Sequence, residues 1–119
     1  MQAEALCRAA VDALENIKAE DIVVLDVRQM SSLFDYIIVA SAESTRQTRA
    51  LVSNLQDKIK TLGGRILGVE GEESGEWVLV DLGDVIVHVM QPAIRDYYNL
   101  EELWNKAQEG RPKLAKAPE

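Results

Sequence analysis

The stretch GEWVLVDLGDVIVHVM, residues 75–90, decides the fold. Two apolar, β-branched runs flank Gly83, where a tight turn needs a positive φ. The pattern predicts a β-hairpin over residues 76–90. Side chains alternate along a strand, and across an even-length turn the numbers of paired residues sum to an odd value. Trp77, Leu79, Asp81, Ile86, His88 and Met90 therefore share one face, and Val78, Val80, Leu82, Val85, Val87 and Val89 share the other. The aliphatic face is the expected core. The mixed face suits a dry core poorly, because a buried carboxylate or imidazole needs a partner. It suits a protein interface, where Trp and Met are enriched and anchor binding. The competing reading has a helix covering this face and Asp81 pairing with His88.

Upstream of the hairpin, Leu6, Ala10, Ala13, Leu14 and Ile17 recur at helical spacing and predict an amphipathic helix over residues 3–18. DIVVLDV, residues 21–27, reads as a strand. YIIVA, residues 36–40, is a second strand, apolar enough to be buried on both faces. Ser44 and Gln47 match a capping box. Val52, Leu55, Ile59 and Leu62 carry the helix that follows, and Gly63-Gly64 stops it. RILGVEG supplies a short third strand. Strand, helix and strand in succession predict a right-handed parallel crossover. Downstream, Pro92 reads as a breaker, a short helix follows around residues 100–104, and residues 105–119 read as a flexible tail. The predicted order is α-β-β-α-β-β-β-α, an α/β mixed sheet of five strands with helices packed against it. Residues 1–104 form the expected domain.

The chain has 119 residues, enough for one domain with one core. Its single cysteine, Cys7, has no intrachain disulfide partner, which suits a reducing cytoplasm. Cys7 falls within the first helical pattern and reads as packing. The first residues mix charge into every turn and do not read as a signal peptide. No apolar run approaches the ~20 residues that span a bilayer. The formal net charge of −7 argues against broad contact with nucleic-acid phosphates and suits a basic protein partner. Glu70, Glu72, Glu73, Glu76, Asp81 and Asp84 lie in a stretch without Lys or Arg. This is either a solvated loop and hairpin or an acidic docking surface.

The enzymatic readings find little support. One His and one Cys do not make a multi-His or multi-Cys zinc site within one chain. Asp81, Asp84 and His88 are the candidate catalytic or magnesium-binding set, but His88 lies four residues beyond Asp84, about 13 Å along a strand at ~3.3 Å per residue. No nucleophile elbow, P-loop or dinucleotide fingerprint occurs. No metal and no cofactor are expected.

The segments SLFDYIIVASAESTRQ, GVEG, GEWVLVDLGDVIVHVM and RDYYNLEELW occur in an order and at spacings that resemble the ribosomal silencing factor family, also called the Iojap family. The resemblance covers residues 1–104. It implies a non-enzymatic translation repressor that binds the large ribosomal subunit at its universal protein L-fourteen and blocks joining of the small subunit when nutrients are scarce. It also implies a nucleotidyltransferase-like fold. Active nucleotidyltransferases carry a glycine-bearing turn before a D-x-D metal pair; here the turn reads SAES and no D-x-D occurs, so the activity is not carried over. Ala42 also stands where the family's turn often has glycine. Trp77, Asp81 and His88 match the family's hairpin motif, and the expected partner face is Trp77, Leu79, Asp81, His88 and Met90. Arg95, Tyr98 and Trp104 match as well and are expected either to join the contacts or to seat the last helix. The alternative function is a nucleotidyltransferase-like enzyme using Asp81, Asp84 and His88. A homodimer is expected when the mixed face has no other partner.

Overall fold

The computed structural model describes residues 1–109, with side chains described to Asn105. In chain order the elements are α1 (Ala3–Asn16), β1 (Glu20–Asp26), β2 (Tyr36–Ser41), α2 (Thr45–Thr61), β3 (Gly68–Glu70), β4 (Trp77–Asp81), β5 (Val85–Met90), α3 (Pro92–Tyr98) and α4 (Leu100–Glu109). The five strands form one sheet in the order β1-β2-β5-β4-β3. β2 and β5 are parallel neighbours, and the remaining pairs are antiparallel. β2 and β3 thus run in the same direction, as the crossover predicts, but the β4–β5 hairpin fills the space between them.

The hairpin register matches the sequence argument. Trp77 pairs with Met90, Leu79 with His88 and Asp81 with Ile86. Gly83 has φ 92°, and its amide donates to Asp81 Oδ1 at 2.8 Å. Positive φ at the first turn residue alone is the pattern of type II′ hairpin turns. Gly71 is needed for a different reason. Its φ is 90°, and a Cβ there would lie 2.1 Å from the carbonyl oxygen of Trp77.

The aliphatic face is the main core. Val78, Val80, Leu82, Val85, Val87 and Val89 pack with Leu6, Ala10, Ala13 and Leu14 of α1 and with Leu51, Val52, Leu55 and Ile59 of α2. α2 is held at both ends. Ser44 Oγ accepts from the Gln47 amide at 3.1 Å, and Gln47 Oε1 accepts from the Glu43 amide at 2.7 Å. The same Gln47 side chain donates to the Lys18 carbonyl at 3.1 Å, tying the cap to the α1–β1 turn. At the other end, Gly64 N–H bonds Ile59 O at 2.8 Å and Gly63 N–H bonds Lys60 O at 3.0 Å. With Gly63 at φ 86°, this is a Schellman stop. Ser44→Ala is expected to cost about 1 kcal/mol of stability, read by urea melts.

A second core lies on the opposite face. Leu25, Val27, Ile37, Val39 and Met90 pack with Phe34, Ile94, Leu100 and Trp104. β2 is therefore buried along its whole length on both sides. Two expectations at the C-terminal end need correction. Pro92 does not break the chain but opens α3 at its first turn, where its missing amide proton costs no bond. Asn99, with φ 48°, ends α3 as a left-handed cap and lets α4 start at once. The last helix also runs to Glu109, not Trp104, so residues 105–109 of the expected tail are helical. The rest of that segment lies outside the described residues.

Candidate functional site: a half-open aromatic face on the hairpin

α3 and α4 cover only part of the second sheet face. Met90 lies under them with no exposure, whereas Trp77, Leu79, Asp81 and Ile86 stay partly open. Met90, expected among the partner contacts, therefore supports the surface from below and is not offered to a partner by this fold.

Trp77 sits at the centre. Its Nε1–H donates to His88 Nδ1 at 3.0 Å, with the two rings 5.9 Å apart. Its other neighbour is Tyr98 of α3, with ring centroids at 4.8 Å and 47° between planes. Tyr97 packs edge-on against Tyr98 at 5.0 Å and is 81% exposed. The Asp81–His88 pair of the competing reading does not form. Asp81 accepts from the turn amide of Gly83, and His88 is engaged by Trp77. Asp84 stands exposed at the turn. The three residues of the enzymatic alternative thus serve three different ends. Among the described residues, no group of three or more His, Cys, Asp or Glu is placed to hold a metal ion.

His88 is 9% exposed. Burial pushes its pKa down to about 4, because the cation loses hydration. The hydrogen bond from Trp77 requires Nδ1 to be an acceptor, which assigns the proton to Nε2. A lowered folded-state pKa means the unfolded chain binds the proton more readily between about pH 6.5 and 4. Stability from neutral His88 is complete above pH 6.5 and falls as the pH drops through that window, by up to about 3 kcal/mol. His88→Asn, which keeps an acceptor but does not titrate, is expected to flatten this limb in melts from pH 7 to 4. Asp26 acts lower. The hydrogen bond from Arg28 holds its carboxyl below the usual range, so its contribution is lost only as the pH falls below about 4. Burial pushes the Cys7 thiol up to about 11, which leaves it unreactive.

The place where open α/β sheets usually hold ligands lies between β2 and β5. There the chain exits to α2 on one face and α3 on the other. The chain's own side chains occupy it. Gln91 Nε2 donates to Gly75 O at 3.1 Å and Thr45 Oγ1 at 3.3 Å. Arg95 is 8% exposed and donates to Ser41 Oγ at 2.7 Å. Its Nε and Nη2 reach the two Glu101 oxygens at 3.1 and 3.0 Å. Arg95 thereby seats α3 and α4, and Trp104 does so through Phe34, 6.1 Å away. Tyr98 does both jobs: one side meets Trp77 and half of it stays exposed.

The family model described as ribosomal silencing factor during starvation matches residues 1–119. This chain belongs to the ribosomal silencing factor family. Ribosomal silencing factor RsfS of Chromobacterium violaceum is 53% identical over 104 residues, 87% of this chain and 85% of that protein. A crystal structure of a protein from the same organism superposes with a TM-score of 0.85 at 49% identity, covering all of this chain and 95% of the other. A mouse protein, mitochondrial assembly of ribosomal large subunit protein 1, is 35% identical over 97 residues, which are 79% of this chain and 42% of that longer protein. The hairpin face thus joins the partly open Trp77 to Tyr98 and Tyr97, with the exposed Glu76 and Asp84 on the same hairpin. Sequence reasoning missed Tyr97 and left Tyr98 undecided; the adjacent tyrosines just before a helix-ending Asn were the available signal.

Proposed function

We propose that this chain binds the large ribosomal subunit through its protein L-fourteen, using the face formed by Trp77, Leu79, Asp81 and His88. Bound there, it blocks joining of the small subunit and represses translation in the cytoplasm when nutrients are limiting, without catalysis. The observation that carries this reading is Trp77, an aromatic anchor held half-open on a sheet face of a silencing-factor chain. Such anchors dominate protein interfaces. The net charge of −7 and the exposed Glu70, Glu72, Glu73, Glu76 and Asp84 complement a basic ribosomal protein. The mouse relative's name also ties that protein to the large subunit. Residues 1–104 carry the activity, and free protein pairs with a second copy through the same face.

Co-sedimentation with separated subunits tests this. The protein should travel with large subunits and lower their joining to small ones; free migration with both would overturn the reading. Nucleotide with magnesium should leave the melting temperature unchanged. A stabilisation near the ~2.7 kcal/mol of 100-fold saturation would favour the enzymatic alternative. Deleting residues 110–119 should leave stability and subunit binding intact. A large loss of either would make that segment part of the functional unit.

A further inference from the structure

A half-open tryptophan on a strand has a mobile indole and an N–H that must find an acceptor. Here the acceptor is supplied from within the sheet. His88 lies cross-strand from Leu79, is 9% exposed, and takes the Trp77 Nε1–H on Nδ1 at 3.0 Å. Tyr98 closes the other side at 4.8 Å. The indole is therefore held between an imidazole and a phenol before any partner arrives. We propose that His88 is a positioning residue: its Nδ1 fixes the Trp77 indole in the orientation that the large-subunit protein meets, and His88 does not itself touch that partner. This rests on the docking role of Trp77 proposed above. It moves His88 from a contact to a support, which its burial favours. Preorganisation of this kind raises affinity by lowering the ordering cost of binding. Only a neutral imidazole can serve, and burial keeps His88 neutral at physiological pH.

The test is a double-mutant cycle on the full chain, read as affinity for purified large subunits at neutral pH. His88→Leu should weaken binding about fivefold to tenfold, the size of one lost hydrogen bond. His88→Asn, whose Oδ1 can stand near Nδ1, should restore binding to within about twofold. In a Trp77→Phe background, which lacks the indole N–H, His88→Leu should change affinity by less than about twofold. An equal loss in both backgrounds would overturn the proposal, because His88 would then act independently of Trp77. Unaltered binding by His88→Leu in the wild-type background would overturn it too. If His88→Leu does not fold, solvent exchange of the Trp77 indole N–H is decisive. A Trp77 indole N–H that stays protected from solvent exchange supports the proposal, and one that exchanges freely while affinity is unchanged overturns it. Normal binding by Trp77→Ala would instead remove the docking reading itself, a result distinct from all of these.

Discussion

Trp77→Ala is expected to weaken binding to the large subunit by about 2 kcal/mol or more, roughly thirtyfold, the loss seen for aromatic hot spots. The indole is partly open, so truncation should cost the free fold less than the ~3–5 kcal/mol of a fully buried Trp. Val80→Ala is the counterpart. Val80 has no exposure and lies in the main core with α1 and α2. Losing two buried methyl groups should destabilise the fold by about 2 kcal/mol while sparing binding once folded. Melts and co-sedimentation on the same purified variants separate the two faces; if Trp77→Ala unfolds the protein and Val80→Ala does not, the assignment of faces is inverted. Charge is tested separately. Asp81 also accepts the Gly83 amide, so Asp81→Lys would disturb the turn as well as the charge. Asp81→Asn keeps an acceptor and removes only the charge. Its effect should be larger at low salt than at high salt, as for a charge facing a basic partner.

The hairpin was legible because a period of two has only two solutions, and the valines selected one. Ser44, Gln47 and the Gly63-Gly64 stop were legible because caps are local chemistry. What the sequence did not settle was how far each face is covered. The same residues, Trp77 to Met90, read first as an open surface, with a helix-covered face as the competing reading. The structure makes both partly true: α3 and α4 bury Met90 and leave Trp77 half-open. That outcome depends on Pro92 starting a helix and on Asn99 turning the chain into α4, choices that period and composition leave open. The insertion of the hairpin between β2 and β3 is likewise a long-range pairing that no short window encodes. The Trp77–His88 bond is a cross-strand diagonal, 11 residues apart in the chain, visible only once side chains are placed.

Arg95→Met is expected to show how much of the docking surface depends on α3 and α4 being seated. The guanidinium is almost wholly buried. It forks onto both oxygens of Glu101 and reaches Ser41 at the end of β2 with its remaining nitrogen. Removing one member of a buried pair usually costs about 3–5 kcal/mol, because the other charge is left behind. Glu101 is 25% exposed and water recovers part of that, so a loss of about 2–3 kcal/mol is expected. This is a large share of a typical domain stability of about 5–15 kcal/mol. Arg95→Lys should not rescue, since a point charge cannot satisfy two carboxylate oxygens and a hydroxyl in a fixed fork. Arg95→Met with Glu101→Met should recover most of the stability, because replacing both partners leaves no stranded charge. The same double variant probes function. Without the clamp, Tyr98 loses its fixed place against Trp77, so subunit binding should remain weakened although the fold is restored. Melting temperature and co-sedimentation are read together; recovery of both in the double variant would mean that apolar packing alone by Ile94, Leu100 and Trp104 seats the two helices.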